Sequence, residues 1–343
     1  MRKKLFKLLA LTLVLGLSVL VISGCTNSSD STSGSEDTEK KVVLSYGGIQ
    51  STEDTATKSM QKMAELVKEK SGGSLELQVY PASQLGDAIS QIEAVMMGSQ
   101  DMFIDAASFV AQFVPDKQVD SLFFAFSSEQ HFENYLDSDL MISIENQFAE
   151  ERGVKTLAQN YLRAPRVMVS KTPILSVNDM QGLKMRVPEI RTYLESVNAL
   201  GANPTQIPWG EVYLALTQGV VEAAEGPLDA VYSMKFYEGA PNITMTNHIR
   251  DNLAVLINDK KFNSLSENQQ RALLEAATEA GEWYTQQVKD KLDEVVIAME
   301  AEGATIHEVD VKEFVEIMFN AADKLEDEGL WQKGLFENVQ KLQ

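Results

Sequence analysis

The sequence of 343 residues contains very little cysteine and histidine, and each shortage excludes a kind of site. Its one cysteine, Cys25, leaves no second thiol with which an internal disulfide could form. Its three histidines, at positions 131, 248 and 307, are far apart and follow no metal-ligand spacing. Each is predicted to be a surface or locally bonded histidine. The sequence therefore predicts neither a metal site nor a cofactor.

Motifs of the common enzyme classes are also absent from the sequence. It contains no Gly-x-Ser-x-Gly turn, no Gly-x-x-x-x-Gly-Lys-Ser/Thr loop and no dinucleotide-binding fingerprint. Acidic residues are abundant, so a hydrolase that uses two carboxylates, with Glu225 as a candidate, is one alternative. The pattern singles out no such pair, and we predict that the chain is not an enzyme.

Basic residues are scarce relative to acidic ones. The sequence has 30 lysines and arginines against 50 aspartates and glutamates, which gives a formal net charge of −20. A field of this sign repels nucleic acid and anionic headgroups, so we expect no nucleic-acid partner. It also repels anionic small molecules. An anionic ligand would therefore need local arginines to overcome the charge of the whole molecule.

An uncharged apolar run follows a basic N-terminus, which is typical of an export signal. Basic residues at positions 2, 3, 4 and 7 precede a run from residue 8 to residue 22 that is short for a membrane span. The sequence Ile22-Ser23-Gly24-Cys25 resembles a bacterial lipoprotein processing site. We predict a signal peptide over residues 1–24 and a lipid on Cys25, which anchors the exported protein to the outer face of the cytoplasmic membrane. A transmembrane anchor, or a stray thiol beside an ordinary cleavage site, is the alternative.

The remaining chain predicts a tether followed by an α/β fold. Residues 25–40 are polar and small, so they are predicted to be a disordered tether. About 300 residues follow, which is enough for two domains. Val42–Tyr46 is a strand candidate, Ser51 and Asp54 fit a capping box that opens a helix, and alternating apolar residues from Leu75 form a second strand. Strand, helix and strand in this order predict parallel pairing.

A long helix is predicted near the C-terminus. Ser266 and Gln269 fit a capping box, and the helical pattern continues from about Glu267 to Glu302. Such a helix would be about 50 Å long, which exceeds the width of one small domain. We therefore predict that it bridges two lobes.

The segment GLKMRVP, residues 182 to 188, places Arg186 at the end of a strand that otherwise has the pattern of a core strand. Ligands of open α/β sheets bind beyond the carboxyl ends of strands, where helix N-termini also favour anions. A guanidinium offers paired donors that match a carboxylate. The pattern favours a carboxylate receptor, and a solvent-facing arginine is the alternative.

Four stretches carry a resemblance that covers nearly all of the folded chain. In order, they are SGGSLELQVYPASQLGD, VNDMQGLKMRVPE, GANPTQIPWGEVYLALTQGVVEAAEGP and MKFYEGAPNITMTNHI. Together they resemble the dicarboxylate-binding type of solute-binding subunit in tripartite ATP-independent periplasmic (TRAP) transporters. The resemblance implies a monomeric receptor that captures a small organic acid and delivers it to two integral membrane subunits. A receptor for a neutral solute, serving an ATP-driven importer or a sensor, is the alternative.

The resemblance also implies a fold. We expect the two lobes of a periplasmic binding protein, each a mixed sheet flanked by helices, with the long helix bridging them. Lobe I is expected to comprise residues 41–163 and about 252–291, and lobe II residues 164–251 and about 292–343. Closure of the lobes would complete the capture of the ligand.

The resemblance assigns ligand-binding roles to particular residues. It implies that Arg186 pairs with the carboxylate of the ligand and that Arg166 assists, with Arg163 as a rival for the second role. It places Trp209 in the wall of the pocket, whereas the sequence alone favours a core tryptophan. Gln50 and Asp105, each directly after a predicted strand, are further pocket candidates, with surface roles as the alternative.

The chain departs from the family pattern at one position. Where the best-known members carry Asp-Gly-Gln-Glu-Asn, this chain has EAAEG over residues 222–226. Gly226 thus replaces an asparagine whose amide usually bonds the ligand. This leaves room for a larger ligand, for a water molecule, or for a role of Glu225.

Overall fold

The computed structural model describes residues 40–343. The predicted signal peptide, Cys25 and all of the predicted tether except its last residue lie outside the described residues. Within residues 40–343, no helix has the length and apolar character that a membrane span requires.

The described residues contain eleven strands that form two sheets. In chain order the strands are β1 (Val42–Gly48), β2 (Leu75–Tyr80), β3 (Met102–Ala106), β4 (Val154–Leu162), β5 (Arg166–Ser170), β6 (Lys184–Val187), β7 (Asn203–Gln206), β8 (Ala223–Pro227), β9 (Asn242–Thr244), β10 (Asn252–Asn258) and β11 (Thr305–His307). The first sheet has the order β2-β1-β3-β10-β4, and the second has the order β11-β9-β5-β8-β6-β7.

Between residues 40 and 343, twelve α-helices lie between these strands or follow them. They are α1 (Thr55–Lys70), α2 (Ala88–Met97), α3 (Glu129–Leu136), α4 (Asp139–Arg152), α5 (Arg191–Ala199), α6 (Val212–Thr217), α7 (Leu228–Ser233), α8 (Phe236–Gly239), α9 (Asp259–Asn263), α10 (Glu267–Ala301), α11 (Lys312–Asp327) and α12 (Leu335–Gln340). Short 3₁₀ turns occupy Ala107–Gln112, Pro115–Ser121, Val177–Met180 and Trp209–Glu211.

Both sheets are mixed, as the sequence predicted. In the first sheet, β1 pairs in parallel with β2 and with β3, and β10 pairs antiparallel with β3 and β4. In the second sheet, β6 is parallel to β7 and β8, whereas β5 is antiparallel to β8 and β9. The central strands β3, β5, β8 and β10 are buried along their whole length. Burial on both faces explains their apolar runs, such as NLAVLIN in β10.

The chain crosses between the sheets more than once. It passes from β4 to β5 through residues 163–165 and returns from β9 to β10 through residues 245–251. The predicted long helix is confirmed as α10, which has 35 residues and packs on α1 and β4 beside the first sheet and on β11 of the second. The two crossing segments contain Arg163, His248 and Asp251.

Two predicted helix starts had different outcomes. The capping box at the start of α10 is confirmed, with Ser266 and Gln269 bonding reciprocally. The capping box predicted for α1 is wrong, because Asp54 is itself the N-cap and its carboxylate accepts the Ala56 backbone N–H at 2.8 Å. Aspartate is among the strongest N-cap residues, so Ser51 is not needed there.

Candidate functional site

Three neighbouring strands of the second sheet have ends that lie side by side. Because β6 and β8 are parallel and β5 is antiparallel to β8, the ends of β6 and β8 lie beside the start of β5. Arg186 is the third residue of β6, Glu225 the third of β8 and Arg166 the first of β5. The fold therefore brings together three charged residues that are far apart in sequence.

A cavity lies between these strand ends and the first sheet. Its walls include all but one of the ligand-binding residues predicted from the sequence, namely Gln50, Asp105, Arg166, Arg186 and Trp209, together with Arg163. Glu225, the remaining one, lies directly behind the wall and bonds Arg166. A larger adjoining cavity shares Ile49, Phe109, Arg186 and Trp209 with it and extends the space toward residues 83–88.

Arg166 and Glu225 form a buried bidentate pair. Arg166 Nε and Nη2 donate to the two oxygens of Glu225 at 2.5 and 2.7 Å, and Nη1 donates to Asp251 at 3.3 Å. Burial alone would raise the pKa of Glu225, but Arg166 and the neighbouring His248 hold it well below its ordinary value. Burial alone would lower the pKa of Arg166, but the carboxylate of Glu225 outweighs this and raises it. Both groups are therefore charged at neutral pH.

Arg186 is buried but incompletely bonded. It is 1% exposed, and its Nε donates to the carbonyl of Ile207 at 2.8 Å. Its Nη1 lies 3.9 Å from the nearer oxygen of Glu225 and makes no hydrogen bond. Burial lowers the pKa of Arg186 from 12.5 to about 10, so the guanidinium stays charged at neutral pH. A charged donor thus faces the cavity without an acceptor.

Trp209 occupies the space that Gly226 leaves open. A Cβ at position 226 would lie 2.9 Å from Trp209 Cη2, so the indole fits only because this residue is glycine. The indole packs edge-on against Phe236 and lies with its ring centroid 5.4 Å from the guanidinium carbon of Arg186. Its Nε1 is buried without a hydrogen-bond partner. The space expected for a larger ligand or a water is therefore filled by an aromatic ring.

The first sheet contributes a carboxylate and an amide to the opposite wall. Asp105, in β3, accepts hydrogen bonds from Gln50 Nε2 at 3.1 Å and from the Ala106 backbone N–H at 2.7 Å. Burial raises the pKa of Asp105, partly offset by Arg163 at 3.8 Å. Both predicted candidates are buried, so the surface roles considered for them are excluded.

The side chains of three further residues contact Arg166 or Glu225, although the sequence did not single them out as pocket residues. Asp251 bonds both Arg163 and Arg166, and Tyr193 stacks with its ring centroid 5.4 Å from the guanidinium carbon of Arg166. His248 is fully buried, with Thr246 Oγ1 2.7 Å from its Nδ1 and with Glu225 3.5 Å from its Nε2. Burial lowers the pKa of His248, so the ring is neutral at pH 7.

The positions of two of these residues in the sequence could have predicted that they lie near the cavity. Asp251 directly precedes the apolar run of β10, and Tyr193 lies on the helix that follows the Arg186 strand. His248 is locally bonded, as predicted for the histidines, although it is not on the surface. Among residues 40–343, no cluster of three histidine, cysteine or acidic side chains could hold a metal ion.

Comparison with known protein families identifies the family to which the chain belongs. Residues 46–328 match the family described as bacterial extracellular solute-binding protein, family 7. The chain belongs to this family. The predicted relationship to the solute-binding subunits of TRAP transporters is thereby confirmed.

Curated relatives of this solute-binding protein are of similar length. The sialic acid-binding periplasmic protein SiaP of Vibrio cholerae is 28% identical over 260 residues, which cover 76% of this chain and 81% of the relative. The 2,3-diketo-L-gulonate-binding periplasmic protein YiaO of Escherichia coli is 30% identical over 282 residues, which cover 81% of this chain and 84% of the relative.

Solved structures share the fold of this solute-binding protein. A TRAP periplasmic solute-binding protein from Roseobacter denitrificans with bound β-D-glucuronate superposes with a TM-score of 0.82 at 28% identity, covering 87% of this chain and 99% of that chain. A second protein from the same species, with bound L-galactonate, superposes with a TM-score of 0.82 at 27% identity. The superposition covers 88% of this chain and 99% of that chain. The predicted fold class, with two sheets flanked by helices and a long helix, is therefore correct.

Proposed function

We propose that this solute-binding protein holds a small organic acid in the cavity between the two sheets by pairing the carboxylate of the ligand with Arg186. The observation that carries the proposal is a pair of buried donors without partners, Arg186 Nη1 and Trp209 Nε1, on residues that line one cavity. Buried donors are costly when unpaired, so such atoms are expected to find an acceptor. A carboxylate has two oxygens and could accept from both.

The relatives support this choice of ligand. Acid sugars are bound in the Roseobacter proteins, which share 28% and 27% of their residues with this chain. A sugar acid combines a carboxylate with several hydroxyl groups. In this chain the carboxylate would face Arg186 and Trp209, and the hydroxyl groups would face Asp105 and Gln50 on the opposite wall.

Hydrogen bonds to the carboxylate alone are too weak for useful capture. A hydrogen bond to a charged group contributes about 1.5–3 kcal/mol, whereas micromolar binding needs about 8 kcal/mol. We propose that closure of the two lobes supplies the remainder by burying the ligand between the sheets. The predicted lobes, residues 41–163 with about 252–291 and residues 164–251 with about 292–343, would then hinge at the crossing segments.

Arg166 has a different proposed role from the ligand contact that the resemblance implied. Its three nitrogens already donate to Glu225 and Asp251. We propose that it fixes Glu225 beside Arg186 and lines the cavity with its aliphatic part.

Replacement of Arg186 tests the proposal. We expect Arg186→Ala to weaken the binding of a sugar acid, such as D-glucuronate or L-galactonate, by at least about 100-fold, because a charged donor to a buried carboxylate is lost. Calorimetry measures this after a thermal-shift screen of organic acids and neutral sugars has chosen the ligand.

The control is Arg191→Ala, five residues along the chain. Arg191 is an exposed arginine that pairs on the surface with Glu195 and Glu328, so its loss should leave affinity unchanged. Circular dichroism confirms that both variants are folded. Unchanged affinity in Arg186→Ala, or a screen in which only neutral sugars bind, contradicts the proposal.

We propose that the receptor is monomeric, delivers its ligand to two integral membrane subunits, and is held at the membrane by a lipid on Cys25. The proposed lipid anchor rests on the basic start, the apolar run and the small residues before Cys25. We expect Cys25→Ser to move the protein from the membrane fraction to the soluble fraction, because the lipid would be absent. Immunoblotting of the two fractions measures this, with Ser23→Ala as the control. A Cys25→Ser protein that stays in the membrane fraction refutes the anchor.

A further inference from the structure

The charged groups around the cavity are balanced before any ligand enters. Three arginines, Arg163, Arg166 and Arg186, line the cavity. Three carboxylates contact them, namely Asp105, Glu225 and Asp251. All six side chains are at least nine-tenths buried, so water screens their charges weakly.

Two of the three guanidinium groups are already engaged. Arg166 gives two hydrogen bonds to Glu225 and one to Asp251. Arg163 Nη1 lies 3.4 Å from Asp251 and 3.8 Å from Asp105, between two carboxylates. A ligand anion that approached either arginine would also approach the carboxylate that holds it.

Arg186 differs from both. Among the described residues, Glu225 is the single carboxylate within 4.0 Å of Arg186, and both of its oxygens already accept from Arg166. Arg186 Nη1 therefore remains a charged donor without an acceptor. Arg186 is thus the one guanidinium of the three to which no carboxylate is hydrogen-bonded, which makes it the anchoring point for a negative charge.

We propose that the cavity selects ligands that carry a single negative charge, and that Glu225 sets this selectivity by occupying Arg166. A second carboxylate on the ligand would approach Arg163 or Arg166, each already paired with carboxylates, and would lie among Asp105, Glu225 and Asp251. Like charges in a poorly screened site repel, so dicarboxylates are rejected. This inference rests on the proposed function, since it assumes that Arg186 receives the first carboxylate.

Matched acids that differ in one charge test the selectivity. D-Galactonate and galactarate share a six-carbon chain of hydroxyl groups and differ in a terminal CH₂OH or carboxylate. Gluconate with glucarate, and succinamate with succinate, form two further pairs. We expect calorimetry of the wild-type protein to show at least about tenfold weaker binding of the dicarboxylate in every pair that binds.

The outcome separates this inference from the proposed function. If a dicarboxylate binds as tightly as its partner, or more tightly, the selectivity is refuted while the role of Arg186 stands. If no acid of any pair binds, the proposed function fails and the selectivity fails with it.

Glu225→Gln tests the residue that sets the selectivity. The substitution leaves Asp251, at 3.3 Å, as the carboxylate still paired with Arg166 and removes one negative charge from the site, so we expect the affinity of the dicarboxylate relative to its partner to rise at least about tenfold. Glu222→Gln removes the same charge from an exposed residue three positions earlier and should leave the ratio unchanged. A Glu225→Gln protein that keeps the wild-type ratio refutes the role of Glu225. Circular dichroism reports whether this variant folds, and if it does not, the wild-type pairs still decide the selectivity.

Discussion

At the scale of single residues, Arg186 and Trp209 form one wall of the cavity through complementary features. The guanidinium supplies charge, and the indole supplies both an aromatic face 5.4 Å from that charge and a buried N–H. Gly226 makes this possible, because any side chain there would collide with the ring. We infer that the indole N–H takes the place of the amide donor that the family pattern has at position 226.

Replacing Trp209 with phenylalanine tests the indole N–H. Trp209→Phe keeps an aromatic ring beside Arg186 but removes the donor, so we expect ligand affinity to fall by about 1.5–3 kcal/mol, which is the worth of a hydrogen bond to a charged group. Calorimetry with the acid chosen for Arg186 measures the change. Trp283→Phe, on α10, is the control and should bind normally. Equal affinities for the two variants would mean that the indole acts through its ring alone.

The sequence predicted which residues surround the cavity better than it predicted their pairing. Arg186, Asp105 and Gln50 were found because they lie at or after strand ends, where parallel sheets place their ligands. The pairing of Arg166 with Glu225 joins residues 59 positions apart and depends on the antiparallel register of β5 and β8. No local pattern encodes that register, so the sequence alone could not show which arginine stays free.

At the scale of elements, helix ends and strand patterns were predictable because they depend on nearby residues. Glycine ends α2 in the left-handed conformation, at Gly98, and Ser266 with Gln269 opens α10. The start of α1 was misjudged, because both Ser51 and Asp54 are good capping residues and the pattern alone does not rank them. The packing of α10 on β4 was not predictable, since it depends on which strand lies beneath the helix.

Gly281 permits that close packing. A Cβ there would lie 2.2 Å from Asn160 Oδ1 and 2.8 Å from Tyr161 Cδ2, both on β4. We expect Gly281→Ala to lower the free energy of unfolding by about 1–3 kcal/mol through overpacking, although alanine favours a helix by about 1 kcal/mol over glycine.

Urea denaturation measures the effect of Gly281→Ala. Glu282→Ala, on the exposed side of the same turn, is the control and should stay within about 0.5 kcal/mol of the wild type. A more stable Gly281→Ala protein would show that the helix can move away from β4 at little cost.

At the scale of the whole molecule, contacts join parts of the chain that belong to different sheets. Ser233, at the end of α7 beyond the second sheet, donates to Asp54, the N-cap of α1, at 2.7 Å. Gln118, in the 3₁₀ turn between strands β3 and β4 of the first sheet, bonds Thr192 of α5. The partners in these contacts depend on the mutual placement of the two sheets. The two-sheet architecture was predictable from the order of elements, but these contacts were not.

The junction of α1 and α7 also places two carboxyl groups together, which gives the molecule a pH dependence. Burial and the charge of Asp54 raise the pKa of Asp229 from 3.8 to about 6. A raised carboxyl pKa means that the folded state binds more protons than the unfolded state, so this group's contribution to stability is lost as the pH rises from about 4 to about 6.

We expect Asp229→Asn to remove this part of the pH dependence and to raise stability at pH 7, because no charge is then buried beside Asp54. Thermal unfolding between pH 4 and pH 7 measures the effect, taken as a difference from the wild type, with Asp290→Asn on the exposed side of α10 as the control. Identical pH profiles for the wild type and Asp229→Asn would refute the assignment to Asp229.

The direction of β1 has a practical consequence. The strand begins at Val42, two residues after the first described residue, and its far end leads to Gln50 in the wall of the cavity. The seven residues of β1 separate these two points by about 20 Å. A biosensor chip coupled to the protein at Lys40, the first described residue, would therefore hold it at the opposite end of β1 from the ligand cavity, so that coupling would not block the residues that receive the solute.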